Sequence, residues 1–540
     1  MLRRLVLTSG IASVLFVASR GHAMEWVRVT ADAPASNAGV ALLLSDGTVL
    51  ALSDATGNDD IGDTWHKLTP DAHGSYVNGT WSGIAPMLNT REYFSSQVLM
   101  DGRVYVAGGE YGTGKAKAEV YNPLTNVWSA APDPGGTVSD ANSEMLPDGR
   151  VLQALVTGTL TKTRIYNPVT NAFSNGPECL GIHNESVWMK LADDSILFVD
   201  RGATTSERYI PSLNAWQSAG VTPVQLYDPW GLETGGALRL PDGRGFFIGS
   251  LSTSAFYVPG VGGLPGSWTA GPVLPNGSGA PDAPVAMMVD GKVLAALSPA
   301  PTPANHFPSP TSFYLYDAMT NAFTQIPAPG GGNSIDAPSY VFCFLVLPDG
   351  GILCTQQDSP TYYVWVSNAA PLAVGRPVLS GVVKTAASTY QLSGTGFNGI
   401  SEGASYGDDW QMNTNYPIAR LTSANGKMVR YARTSNWNST GVATGSLPTT
   451  TSMTLPPSLA PGSYSLAVVA NGIASTPVSF VVTSSPCVAD LNADGVVNGA
   501  DLALLLGQWG SIGGADFDAS GAVDGADLAL VLGAWGACPS

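Results

Sequence analysis

Charge is scarce in this sequence, and basic charge scarcer. Only 12% of residues are Asp, Glu, Lys or Arg, with 24 basic against 41 acidic and a net charge of −17. A surface of that sign repels phosphate backbones and excludes nucleic acid as a partner. Histidine is rarer still, at 5 in 540 residues, so a site needing several imidazoles has few candidates. Cysteine also numbers 5, and none falls between residues 24 and 178. No apolar run is long enough for a membrane-spanning helix. The one marked run, Leu5–Ala18, follows Met-Leu-Arg-Arg and precedes Gly21-His22-Ala23. That is the layout of a secretory signal peptide cut after Ala23. The expected product is secreted, extracellular or held at a cell surface, and more acidic once Arg3, Arg4 and Arg20 leave with the leader.

Glycine (63) and proline (39) are abundant, as in a chain of short strands and tight turns. The turns repeat. An apolar strand, a turn on Asp-Gly and a second apolar strand recur at Asp46, Asp101, Asp148, Asp193, Asp242, Asp290 and Asp349, at steps of 45 to 59 residues. Blade 4 alone has Asp194 where the others have Gly. Asp-Gly favours a tight hairpin because Gly accepts positive φ. A second hairpin follows most of them: Tyr121…Trp128, Tyr166…Phe173, Tyr209…Trp216, Tyr257…Trp268 and Tyr316…Phe323. Two hairpins per period of about 50 residues make a four-stranded kelch-type propeller blade. Seven periods predict seven blades over residues 24–373. The seventh lacks its last strand, and Glu25-Trp26-Val27 matches the missing pattern. The start of the mature chain is therefore expected to complete the last blade.

Residues 374–484 lose the Asp-Gly period. Ser/Thr-rich strands at Ser388–Leu392, Met428–Ala432, Ser463–Val469 and Val478–Val482 predict an Ig-like sandwich. A Pro-rich insertion, Ser298–Pro310, is expected as a stiff surface loop near one mouth of the propeller. Thr483–Pro486 reads as a linker. The whole is all-β: a seven-bladed kelch propeller, an Ig-like sandwich and a small α-helical calcium-loop module at the C-terminus.

That module occupies residues 487–540. Oxygen-bearing side chains stand at positions 1, 3, 5, 9 and 12 of two loops, 26 residues apart. The first has Asp490, Asn492, Asp494, Asn498 and Asp501, with the carbonyl of Val496 at position 7. The second has Asp516, Asp518, Ser520, Asp524 and Asp527, with the carbonyl of Ala522. Gly495 and Gly521 take the sharp bend at position 6. A hard cation needs six or more oxygens from a short loop, so two calcium ions are the expected cofactor. Ser520 makes the second loop the weaker site. Short helices are expected at Leu502–Leu506 and Leu528–Leu532. Cys487 and Cys538 bracket the module and are expected to form a disulfide; Cys179, Cys343 and Cys354 are read as buried thiols. Two such loop–helix units resemble a type I dockerin. The resemblance implies a calcium-dependent anchor to a cohesin-like or cell-surface protein.

The propeller followed by an Ig-like domain resembles the galactose oxidase/glyoxal oxidase group of copper radical enzymes. The runs that carry the likeness are Arg91-Glu-Tyr93-Phe-Ser-Ser with Asp101–Gly109, Tyr340 ahead of Leu-Pro-Asp349, and Ala404–Asp408. The resemblance implies copper held by two tyrosines, and Tyr93 and Tyr340 fall at the matching places. The histidines it implies are not matched. Val341 follows Tyr340, and Arg433–Thr440, which should bring another histidine, has none. The cysteine that should cross-link the first tyrosine is missing too. Copper is therefore not expected.

Counting back from each turn, with one extra position where Pro or Ala precedes the aspartate, makes Ala38, Ser139, Asn184, Glu233 and Asp282 the equivalents of Tyr93 and Tyr340. The expected axial mouth is Tyr93, Asp140, His183, Asn184, Glu233, Asp282 and Tyr340. Carboxylates and phenols there suit carbohydrate or another extracellular ligand, which makes the chain a non-catalytic binding protein. The alternatives are an oxidase of aldehydes or sugar alcohols with a divergent metal set, and a hydrolase using Glu233 and Asp282 as an acid/base pair.

Overall fold

The computed structural model describes residues 24–54, 61–156, 162–261, 264–386, 388–407, 412–483, 487–492, 494–518 and 520–538. The leader, Asp408 and linker residues 484–486 lie outside them. No helix among the described residues is long and apolar enough to cross a membrane.

Seven antiparallel sheets form the blades of a propeller. Their innermost strands are Asn37–Leu43, Ser95–Val98, Ser143–Met145, Trp188–Lys190, Ala237–Arg239, Val285–Met287 and Phe342–Val346. The first packs on the last, which closes the ring. The seventh sheet takes its outer strand from the start of the described chain: Glu25–Arg28 pairs antiparallel with Tyr363–Val366. An open sheet edge is thereby satisfied from the other end of the propeller.

All seven turns close alike, and the turn aspartate explains it. Its Oδ1 accepts the N–H two residues on, at Thr48, Arg103, Arg150, Ser195, Arg244, Lys292 and Gly351. This is the local hydrogen bond by which Asp favours turns over strands. The next residue lies in the left-handed region, as at Gly102 (φ 81°). Only blade 4 puts a side chain there, at Asp194 (φ 62°). The outer hairpins repeat a second device. In blades 2, 3, 4 and 6 a tyrosine hydroxyl donates to the Asn five residues on, at 2.9 to 3.0 Å. Those asparagines, Asn126, Asn171, Asn214 and Asn321, have φ between 47° and 53°. Asn is the residue that both tolerates that backbone and accepts the bond. Each tyrosine faces the aromatic residue of the next strand in register, as Tyr121 faces Trp128.

Beyond the propeller, eight strands between Val378 and Val482 join in one curled sheet rather than two separate ones. The joint is Val429–Ser435. Its first part pairs with Ile418–Ser423 and its last three residues with Pro448–Thr454. The curl encloses Leu392, Leu421, Met453, Leu466 and Val468. The expected strands are present with shifted ends, such as Thr389–Thr395 and Gly462–Ala470.

The tail carries α1 (Gly499–Leu506) and α2 (Gly525–Gly533). Both begin three residues earlier than the apolar run suggests, because Asn498 and Asp524 cap them in reciprocal capping boxes with Asp501 and Asp527. Cys487 and Cys538 are joined by a disulfide, and Val496–Val497 pairs with Gly536–Ala537 beside it. Cys179, Cys343 and Cys354 are buried free thiols.

Candidate functional site

Strand pairing fixes which residues are equivalent around the axis. Val98, Met145, Lys190, Arg239, Met287 and Val346 each face the first residue after their turn. Five positions before them stand Tyr93, Asp140, Glu185, Thr234, Asp282 and Val341, with Ala38 completing the ring. This corrects the expected register in four blades: Ser139, Asn184, Glu233 and Tyr340 lie one place too early. A Pro or Ala ahead of the turn aspartate adds no residue, since all seven turns close the same way.

Backbone conformation marks the corrected set. Tyr93, Asp140, Glu185 and Asp282 have φ of 48°, 43°, 54° and 48°, a region that costs a non-glycine residue roughly 1–2 kcal/mol. Neighbouring positions are stitched together. Glu185 N–H donates to Asp140 O at 3.0 Å, and Asp282 N–H donates to Thr234 O at 3.0 Å. Across the ring, Gln357 Nε2 donates to the Tyr93 hydroxyl at 3.2 Å.

Acidic groups crowd the blade 2 and 3 side. Tyr111 lies 6.4 Å from Tyr93, ring to ring. Its hydroxyl is pushed up to about 12 by its bond to Glu110, then by burial and by the charges of Glu110, Asp140 and Glu92. Glu233 and Asp282 are buried on the opposite side. Asn184, one position before the ring, is half-buried and reaches Glu185 of the ring at 3.5 Å. Tyr340 packs edge-on against Phe307 at 4.9 Å, so the Pro-rich insertion does reach this mouth.

His183 does not belong there. It is fully buried, stacked 3.6 Å from the Phe198 ring, between Trp188 and Trp216. Its Nε2 meets Glu207 Oε1 at 2.8 Å, and Trp188 donates to its Nδ1 at 3.0 Å. Blade 2 has Arg91 and Glu119 at the same positions, 2.7 Å apart and fully buried. In both blades the carboxylate also accepts from a loop N–H, Leu180 or Leu88. The histidine is thus half of a loop tether, a role a lone sequence position does not reveal.

The sequence also missed what fills the axis. Ala404–Ser405, from the curled sheet's side of the chain, pairs with the innermost strand of blade 6. Tyr406 donates to Tyr340 O at 2.8 Å, and Gly407 O accepts from Thr234 Oγ1 at 3.3 Å. A Cβ on Gly407 would come within 2.5 Å of the Asp282 Cα, so only glycine fits there. Residues 433–440 stop short of the mouth. Asn436 N–H meets Met100 O, and Trp437 stacks on Tyr416 at 5.3 Å.

The donor set at the two phenols does not fit a copper radical centre. His183 is caged, His66 is bonded to Ser53 in blade 1, and His73 sits on an exposed turn. His306 lies beside Gly231. Copper(II) calls for imidazole nitrogens, and here Tyr93 meets Gln357 instead. No group of three or more His, Cys, Asp or Glu ligands gathers at this mouth among the described residues.

The tail offers a different donor chemistry. Asp516, Asp518 and Asp527 bring carboxylate oxygens within 4.8 Å of one another. Gly495 and Gly521 have φ of 88° and 97°. Asp501 accepts from Asn498, Leu491 and Asn492 N–H, and Asp527 from Asp524, Phe517 and Asp518 N–H. Those donors hold both carboxyls below the usual carboxylate range. All-oxygen loops of this kind fit calcium.

A Kelch motif model matches residues 97–135, which cover blade 2. No curated protein is significantly similar in sequence. Among solved structures, a fungal alcohol oxidase of the AA5 family, in complex with copper, is similar at TM-score 0.52 and 14% identity, covering 85% of this chain and 99% of that one. A catalytically inactive virginiamycin B lyase from Staphylococcus aureus with quinupristin gives TM-score 0.43 and 10% identity over 64% of this chain and 100% of the other. The chain thus has the propeller fold of a galactose-oxidase-like neighbour.

Proposed function

We propose that this is a secreted, non-catalytic binding protein whose axial mouth takes carbohydrate or another hydroxyl-rich extracellular ligand. Its tail is a calcium-dependent, dockerin-like anchor to a cohesin-like or cell-surface partner, and the curled sheet an Ig-like domain. The observation that carries the reading is the exchange of donors at the mouth. Tyr93 stands in the ring with Tyr340 one position before its blade's equivalent, while His183 is caged, His66 is bonded to Ser53, His73 lies on an exposed turn and His306 lies against Gly231. Carboxylates of Asp140, Glu185 and Asp282 accept hydroxyl hydrogen bonds, and the ring of Tyr111, 45% exposed, offers a stacking face. Four strained backbone positions aimed at one opening are a further sign of a binding site.

A glycan array of the full chain tests this. Binding to a defined glycan class, lost in Tyr111→Ala and Asp282→Asn, is the expected result. The second reading, a copper oxidase acting on aldehydes or sugar alcohols, is favoured by the fold likeness and by Tyr93 and Tyr340. It requires copper bound in stoichiometric amount and peroxide formation that Tyr93→Phe abolishes.

A further inference from the structure

Three ionisable side chains from three separate elements meet where the axial segment enters the propeller. Lys190, at the end of the inner strand of blade 4, places Nζ 2.9 Å from Glu144 Oε1 on the inner strand of blade 3. The same ammonium donates to Met145 O at 2.7 Å and to Thr440 O at 2.9 Å. Its three donors are thereby used. Glu402, two residues before Ala404, accepts Lys190 N–H at 3.0 Å, so its carboxyl and that of Glu144 are both held at the same lysine. All three are at most 5% exposed.

Two ionised carboxylates cannot hydrogen-bond one another, because neither carries a proton. One ammonium balances one of them. A second buried negative charge would be left without a counter-charge, which burial makes costly. The other facing groups do not relieve it. Asp194, in the blade 4 turn, is itself acidic and pushed up by burial. Asp193 is committed to Arg208 at 3.0 Å. Arg239, on blade 5, spends its donor on Ile400 O at 3.0 Å. The residue 440 segment presents the Thr440 carbonyl, and in blade 3 Met145 N–H donates to Glu144 Oε1 at 2.8 Å, which favours the charge on Glu144 rather than on Glu402. Burial first, and then the Glu144 charge, push Glu402 well up, while Glu144 stays below its ordinary value beside Lys190.

We propose that a proton on Glu402, donated to Glu144, is the latch that holds residues 402–407 in the propeller axis and so positions the mouth, making the mouth close at neutral pH and loosen as pH rises. The segment it holds carries the Tyr406 contact to Tyr340 and the Gly407 contact to Thr234 and Asp282. Glu402 is a positioning residue. That the mouth binds a ligand rests on the reading above; the latch itself does not.

Hydrogen exchange on the full chain tests it without any ligand. Met287 N–H donates to Gly403 O at 2.7 Å, and Thr414 N–H to Glu402 O at 2.7 Å. After correction for intrinsic rates, their protection should fall by up to tenfold per pH unit above the transition, one proton being released. Glu402→Gln, which donates the same bond without a charge, should remove that fall. Glu144→Gln should remove it as well, by making Glu402 the sole counter-ion of Lys190. The wild-type infrared spectrum at neutral pH should hold a protonated-carboxyl band that Glu402→Gln lacks. Equal pH dependence in wild type and Glu402→Gln, or no change in that band, overturns the latch. Failure of every glycan to bind would overturn the mouth's assignment and leave this result standing.

Discussion

Trp26 lies directly opposite Trp365 in the last blade, with ring centroids 5.2 Å apart and planes inclined at 61°. Its indole N–H donates to Pro327 O at 2.8 Å, so it also binds the last blade to the sixth. Trp26→Ala should destabilise the propeller by about 2–3 kcal/mol, less than for a fully buried Trp because it is half-exposed. Denaturant unfolding followed by fluorescence checks this. Removing Glu25–Arg28 altogether should cost more and expose a strand edge, read as concentration-dependent association.

Arg91 and Glu119 form a fully buried pair that ties the loop before blade 2 to its third strand. Arg91→Met leaves the Glu119 charge buried without its partner, and should cost about 3–5 kcal/mol. The double change Arg91→Met with Glu119→Gln should recover much of that loss. A double-mutant cycle on urea unfolding separates the two.

Asp194 occupies the left-handed turn position that Gly fills in the other six blades. Asp194→Gly should therefore stabilise the chain by about 0.5–1 kcal/mol, read as a higher unfolding midpoint. A loss of stability would show that the Asp194 carboxyl is held by contacts worth more than the backbone strain.

The tail is expected to respond to acid and to chelators. Backbone donors hold Asp501 and Asp527 below the ordinary carboxylate range. A depressed folded value means that the stability they contribute is present above the unfolded value and is lost as pH falls through the folded one. Helical circular dichroism of the full chain should fall in that acid window. At neutral pH a calcium chelator should remove the same signal while the propeller's aromatic signal persists. Asp527→Ala should abolish one calcium site.

Much of this fold is legible in the sequence because its determinants are local. The Asp-Gly turns, the Tyr–Asn corners and the capped helix starts of the tail each carry their own hydrogen bonds within a few residues. Trp26 was legible as well, since it repeats the pattern of Trp128. The mouth was only partly so. Tyr93, Asp140 and Asp282 stand in it, but counting an extra position before Pro displaced the register to Asn184, Glu233 and Tyr340. His183 looked available because nothing near it in sequence names Phe198, Trp216 and Glu207 as its cage. Glu402 gave no signal, and Gly407 stood out only as part of the Ala404–Asp408 run, since the contacts of both depend on a segment threading a different part of the fold. The sandwich expected after the propeller is one curled sheet, because Val429–Ser435 serves both faces.

The most direct test of the account is copper binding by the full chain, read by metal analysis after dialysis against copper(II). The account predicts calcium in the tail and no copper whose retention depends on Tyr93 or Tyr340. One copper per chain, lost in both Tyr93→Phe and Tyr340→Phe, would contradict it.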